Sequence, residues 1–275
     1  LDRILDIVLE NGHVAVEDLT GQLGVSPATV RRDLESLAAQ QLVIRTHGGA
    51  SAHPGASALP MRYRAARQSA AKDAIAKAAA GMVEPGSVIG LNGGTTTTTL
   101  AHELAARAAD LAQTAGERIE RPTVLVTNAL NIAQELAVRD HLQLVVTGGV
   151  VRGGSFELVG NWAEKLLEQI RIDVLFLGVN ALNVQDGPRT HDESEASISG
   201  ALVERAGRVV VIADSTKLGR TAFARICPLS RIDTLVTDEA AEESHIAALR
   251  EAGIEVVVVA AGGDSETRED KEGGR

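Results

Sequence analysis

A chain of 275 residues with 44% hydrophobic content is long enough for two domains with real cores, which excludes a single small module and wholesale disorder. One cysteine, Cys227, excludes an internal disulfide and offers the seven histidines no partner for a metal cluster, so no metal or cofactor is expected and a reducing, cytoplasmic setting fits. The formal charge of −10 argues against nucleic-acid binding by the whole chain, but the first 67 residues are close to neutral and remain the part DNA can tolerate. With only 2% aromatics the cores must be built from Leu, Val, Ile and Ala, a profile that suits helices on a parallel sheet. No apolar stretch is long enough to cross a bilayer and no basic-plus-apolar leader is seen, so no membrane partner is expected.

In chain order, Leu1, Ile4, Leu5, Val8 and Leu9 repeat at helical spacing and Asn11-Gly12 stops that helix. His13–Val16 reads as a short extended piece, followed by a helix over Glu17–Leu23. Gly24-Val25 turns the chain into Ser26-Pro27, an N-cap followed by the residue best suited to a first helical position. The third helix runs to about Gln40. Setting Val30 inward places Leu34 and Leu37 on the same face, so Ala28 and Arg32 point away, flanked by Thr29, Arg31 and Glu35. A helix with a buried Leu/Val stripe and an exposed guanidinium has what a major groove requires. Leu42–Thr46 reads as a strand ending at His47-Gly48-Gly49. These elements predict a DNA-binding domain over residues 1–50.

Residues 51–60, with Pro54, Gly55, Ser57 and Pro60, read as a linker, and an Ala-rich helix follows over Arg62–Met82. Apolar runs at Val88–Leu91, Val124–Val126, Leu142–Val146, Val174–Leu177, Val209–Ala213, Thr234–Val236 and Glu255–Val259 then alternate with helical stretches. Such alternation predicts an α/β domain over residues 61–260 with a mostly parallel sheet covered on both faces. The Gly-, Asp- and Glu-rich residues 261–275 read as a disordered tail.

Asn92, Gly93, Gly94, Thr95, Thr96 and Thr97 lie where the first of those strands gives way to a helix. Glycines permit the sharp turn, the helix start aims unpaired N–H groups outward, and threonine hydroxyls add donors, so the loop suits a phosphate or carboxylate. It matches neither the dinucleotide nor the Walker pattern. Asn128, Gly148, Gly149, Asp214 and Lys217 also follow strands, where open α/β sheets place their ligands.

The run Val25-Ser26-Pro27-Ala28-Thr29-Val30-Arg31-Arg32-Asp33-Leu34, followed by Arg45-Thr46-His47-Gly48-Gly49-Ala50, resembles the signature of the DeoR family of transcriptional regulators. The resemblance continues through Gly94–Thr97, Thr127-Asn128, Gly148-Gly149, Glu195-Ala196 and Asp214–Lys217. It implies a winged helix-turn-helix joined to a sensor domain resembling ribose-5-phosphate isomerase and glucosamine-6-phosphate deaminase. It also implies a repressor of a carbohydrate operon whose partners are double-stranded operator DNA, a phosphorylated sugar effector and further copies of the chain, as dimer or tetramer. On that resemblance Ser26, Pro27, Ala28, Thr29, Arg31 and Arg32 would meet the operator, with Arg45 and His47 at the wing. Asn92 through Thr97, Asn128, Gly148, Gly149, Glu195, Asp214 and Lys217 would line the effector site. Asn92 departs from the family, which often has an acid there.

Two other classes remain open at this level. An isomerase or deaminase on the same scaffold could use Glu195 or Asp192 as base with Lys217 as the stabilising cation. A constitutive DNA-binding protein with an inert α/β domain would need neither the Gly/Thr loop nor Lys217.

Overall fold

The computed structural model describes residues 2–39, 42–52, 68–115 and 121–261, and the chain divides into two units, Leu1–Arg67 and Gln68–Arg275. In the first unit, α1 (Asp2–Asn11) ends at Gly12, whose φ of +71° turns the chain into β1 (His13–Ala15). Next come α2 (Val16–Leu23), α3 (Pro27–Ala39), β2 (Val43–Thr46) and β3 (Gly49–Ala52). Val8, Leu19, Val30, Leu34 and Leu37 are completely buried and close a small core of three helices on the antiparallel sheet β1-β3-β2. The wing is therefore one strand longer than the sequence pattern predicts. Ser51 and Ala52, read as the start of the linker, pair with His13 and Val43. Gly-Ala-Ser-Ala has little strand propensity, but small residues are what this position demands, since a Cβ on Gly49 would collide with the Val14 carbonyl oxygen. The rest of the linker, the start of the Arg62–Met82 helix and the tail beyond 261 lie outside the described residues.

The second unit carries α4 (Ser69–Ala80), β4 (Val88–Leu91), α5 (Thr95–Ala115), β5 (Thr123–Thr127), α6 (Leu130–Leu136) and β6 (Leu142–Val146). The hairpin β7 (Val150–Arg152) and β8 (Glu157–Val159) precedes α7 (Asn161–Leu167) and β9 (Ile172–Gly178). Two short strands, β10 (Ala181–Asn183) and β11 (Gly187–Thr190), lead to α8 (Glu193–Arg205) and β12 (Ala206–Ile212). β13 (Ala224–Arg225), β14 (Thr234–Asp238), α9 (Glu243–Glu251) and β15 (Glu255–Val259) complete the unit.

All seven predicted strands join one parallel sheet in the order β15-β14-β12-β9-β4-β5-β6. Alternate residues supply its two faces. Ile89, Val174, Phe176, Val210 and Ile212 pack under α4, α5 and α6, while Leu175, Leu177, Val209 and Val211 pack under α7, α8 and α9. Both faces being covered explains why the strands read as continuous apolar runs. The small antiparallel pieces β7–β8 and β10-β11-β13 carry no such run, and the sequence pattern does not reveal them. No helix among the described residues is long and apolar enough to cross a membrane.

The strand order places a site. From β4 the chain steps outward through β5 to β6, then crosses back to the far side of β4 for β9 and continues to β12, β14 and β15. The order reverses between β4 and β9, and the loops leaving their carboxyl ends diverge to opposite faces, opening a crevice.

Gly49→Ala is expected to cost the winged unit at least about 2 kcal/mol, because its new methyl meets backbone rather than a yielding side chain. Urea denaturation of the full chain, followed by far-UV circular dichroism, checks this.

Candidate functional site

Two surfaces carry the residues singled out above. On α3, Ser26 Oγ accepts from the Thr29 N–H at 3.2 Å and so caps the helix, and it lies 2.9 Å from Thr29 Oγ1. With Val30, Leu34 and Leu37 turned inward, Pro27, Ala28, Arg31 and Arg32 are all exposed. Neither guanidinium has a partner among the described residues. At the wing, Arg45 Nη1 donates to the Gly49 carbonyl at 2.7 Å, which ties the hairpin together, and His47 stands exposed beside Gly48, whose φ is +90°. Arg45 thus has a structural bond as well as donors to spare.

At the β4–β9 crevice the candidates divide into framework and free groups. Asn92 is framework: its Nδ2 donates to the Gly178 carbonyl at 2.9 Å and to Ser199 Oγ at 3.2 Å, and its Oδ1 accepts from the Gly178 N–H at 2.8 Å. Those bonds tie the end of β4 to the end of β9 and to α8, which is the work of an amide that donates and accepts at once, where a carboxylate could only accept. Gly94, with φ of +150°, starts the turn into α5, and its carbonyl accepts from the Thr98 N–H at 3.0 Å. The amides of Thr95, Thr96 and Thr97 precede that first helical bond and are the orphan donors of a 21-residue helix.

The five threonines are unequal. Thr97 and Thr98 hydroxyls donate to the Gly94 carbonyl at 2.9 and 2.7 Å, and the Thr99 hydroxyl donates to the Thr95 carbonyl at 3.1 Å. These back-bonds let threonines start a helix, and they withdraw three donors that the sequence pattern offers to a ligand. The hydroxyls of Thr95 and Thr96 have no partner among the described residues.

Across the crevice, Asn128 at the end of β5 is completely buried and donates to Glu157 Oε2 at 2.9 Å and to the Leu158 carbonyl at 3.3 Å. Glu157 is buried against Gly93, where any side chain would collide with it. Gly148 and Gly149, with φ of +72° and +121°, turn the chain into β7, and a Cβ on Gly149 would fall 2.7 Å from the Val159 carbonyl oxygen. Glu195 does not face the crevice unpaired. Its Oε1 takes the Arg152 Nε at 3.0 Å and its Oε2 the Thr190 hydroxyl at 2.9 Å. Asp192 caps α8, accepting from the amides of Ser194 and Glu195, and also binds Arg152 Nη1 at 3.0 Å. Beyond β9, Asp214 is buried at the end of β12 and accepts from Thr216, while Lys217 Nζ lies 4.0 Å away with its side chain 36% exposed. With strands about 4.8 Å apart, the β12 end stands two spacings, roughly 10 Å, from the β4 loop.

The structure thus gathers the Gly/Thr loop, Asn128 and the Gly148-Gly149 turn at one rim, with Asp214 and Lys217 farther along it. Sequence reasoning missed Arg152 and Glu157, because alternating strand residues in a Gly-rich hairpin carry no motif. Cys227 offers no nucleophile, since burial pushes its thiol up to about 11.

A family model described as the DeoR C terminal sensor domain matches residues 67–239, and one described as the DeoR-like helix-turn-helix domain matches residues 1–53. The HTH-type transcriptional regulator GlpR of Haloferax volcanii is 34% identical over 257 residues, covering 93% of this chain and 95% of that protein. The glycerol-3-phosphate regulon repressor of Escherichia coli K12 is 30% identical over 236 residues, covering 86% and 88%. Ribose 5-phosphate isomerase A of Methanocaldococcus jannaschii superposes with a TM-score of 0.38 at 20% identity, covering 53% of this chain and 52% of its own.

Asn92→Ala is expected to remove about 2–4 kcal/mol, since it leaves both the N–H and the carbonyl of Gly178 without their partner. Chemical denaturation of the full chain measures it, and a cost under about 0.5 kcal/mol would contradict the framework role of this side chain.

Proposed function

The chain belongs to the DeoR family of DNA-binding transcriptional regulators, and on that premise we propose that it is a cytoplasmic repressor of a carbohydrate-catabolism operon, released from its operator by a phosphorylated sugar or related metabolite. The observation that carries this reading is the pairing of two donor surfaces in a chain of net charge −10. One is the exposed Arg31-Arg32 face of α3, without a partner among the described residues, and the other is the set of orphan amides at Thr95–Thr97 with the hydroxyls of Thr95 and Thr96, beside the strand-order reversal.

At the operator, α3 enters the major groove, with Arg31 and Arg32 reaching base edges and phosphates. Ser26, Pro27, Ala28 and Thr29 form the helix start that approaches the sugar-phosphate backbone, and Arg45 and His47 place the wing beside it. A homo-oligomer presents two such heads to half-sites spaced by about 34 Å or a multiple of it.

At the sensor, the effector phosphate docks on the amides of Gly94 through Thr97 and the hydroxyls of Thr95 and Thr96. Gly148 leaves its side open to that approach, while Gly93 and Gly149 make room for Glu157 and the Val159 backbone that frame it. Lys217 closes over the ligand from the β12 end, and Asp214 positions Lys217 and is within reach of a sugar hydroxyl. Asn128 and Glu195 shape the opposite wall, while Asn92 holds the rim. Effector releases the operator only to the extent that it binds the weakly DNA-binding arrangement more tightly.

Arg32→Ala is expected to weaken operator binding by about 1–3 kcal/mol, roughly 5- to 150-fold, while leaving effector affinity unchanged. Unchanged operator affinity in a fluorescence-anisotropy titration would remove α3 from the groove. Lys217→Ala is expected to leave operator affinity intact and to raise the effector concentration needed for release by at least about tenfold. Release at wild-type concentrations would take Lys217 out of the site.

A further inference from the structure

The hairpin β7–β8 is unusually apolar on its outside. Four of the nine large apolar side chains exposed among the described residues fall within residues 150–162: Val150 at 62%, Val151 at 52%, Phe156 at 41% and Trp162 at 74%. Val150 and Val151 are consecutive, so they point to opposite faces of β7, and both faces are exposed. The two edges of the hairpin differ. On the β8 side the Leu158 N–H donates to the Asn128 carbonyl at 2.6 Å, and the Phe156 carbonyl accepts from the Leu130 N–H at 2.9 Å, so that edge is taken. Leu158 thus turns its backbone groups away from β7, and Val151, which stands opposite it, turns its own away from β8. Those groups lie on the outer edge of β7, which pairs with no other strand among the described residues. A two-stranded hairpin is marginal by itself, and an apolar edge strand is a template for another chain.

We propose that a second copy of this chain docks on the outer edge of β7, the two edges pairing antiparallel about a twofold axis at Val151. The inference deepens the homo-oligomer reading above and rests on it for the choice of partner. A strand paired antiparallel with its own copy is isologous, so one patch serves both chains. With Val151 opposite its copy, the two residues exchange both N–H···O bonds, and Val150 lies against the hydrocarbon stem of the partner's Arg152. Charge selects the same place. Two chains of net charge −10 repel, and they approach best where acids are absent or neutralised. β7 carries no acid, and its Arg152 guanidinium is paired with Asp192 and Glu195 at 3.0 Å. Trp162 widens the patch at the base of the hairpin, since its neighbour Ala163 has its Cβ 3.3 Å from where a Cβ on Gly149 would stand. The Gly148-Gly149 turn of the effector rim leads directly into β7, so rim and interface share one hairpin.

Sedimentation equilibrium of the full chain over a concentration series is expected to show self-association. Val151→Pro removes the outward N–H and spares the bonds between β7 and β8, while Val151→Lys sets a charge in the patch. Each is expected to weaken self-association at least about tenfold, with an unchanged far-UV circular dichroism spectrum reporting the fold. Val151→Cys gives a second measurement that removes no backbone bond. Treated with diamide, it is expected to yield a disulfide-linked dimer, because the Cα atoms of a hydrogen-bonded antiparallel pair stand about 5.5 Å apart. The native Cys227 is buried, and Val138→Cys is the control, an exposed valine beyond the end of α6, whose start meets the hairpin. A monomeric wild-type chain would overturn the interface. So would self-association that survives both Val151→Pro and Val151→Lys, or crosslinking at Val151→Cys no greater than at Val138→Cys. If operator and effector both fail to bind while the variants still dissociate, the repressor reading falls and the interface stands.

Discussion

Asn92 donates to the Gly178 carbonyl and to Ser199 and accepts from the Gly178 N–H, and through these bonds the ends of β4 and β9 are held as one rim. The seam it closes is where the strand order reverses, so the loops on either side leave for opposite faces of the sheet. The orphan amides at the start of α5 follow directly on that clamp, and Leu100 and Leu104 anchor their helix in the core. They stand at one end of a rim whose other members arrive from β5, β6 and β12. The cores beneath, Phe176 and Val210 on one face and Leu175 and Val211 on the other, set the strand spacing on which the rim depends.

A chain this acidic can still hold two anions because both contacts are short-range. Screening at physiological ionic strength limits the reach of the net charge to about 8 Å, whereas amides, hydroxyls and guanidinium groups act at contact distance. The winged unit carries little net charge and presents Arg31 and Arg32 without a partner among the described residues, while several acids near the crevice are engaged internally. Asp192 and Glu195 hold Arg152, Asp214 caps the turn that carries Lys217, and Glu157 holds Asn128.

Much of the architecture was legible in the sequence. Seven apolar runs gave seven strands of one parallel sheet, because strands buried on both faces leave an unbroken hydrophobic mark. The inward stripe of α3 was equally readable from Val30, Leu34 and Leu37. Less legible was anything decided by a partner far along the chain. β3 forms because Gly49 and Ala50 fit against β1, not because of their own propensity. Thr97, Thr98 and Thr99 look like donors in a row until the helix turns their hydroxyls back on its first carbonyls. Asn92 looks like a ligand contact until Gly178, 86 residues away, claims its amide. Glu157 and Arg152 carry no motif, and only the fold brings them to the rim.

The central claim is that an effector phosphate is received by the amides at the start of α5. The most direct measurement is a thermal-shift comparison of the full chain with sugar phosphates, each set against its unphosphorylated parent. A ligand at a hundred times its dissociation constant adds about 2.7 kcal/mol of stability, enough to move the transition clearly. The account predicts that at least one phosphorylated member raises the melting temperature while its parent sugar does not. Equal shifts from sugar and sugar phosphate, or no shift across the panel, would contradict it.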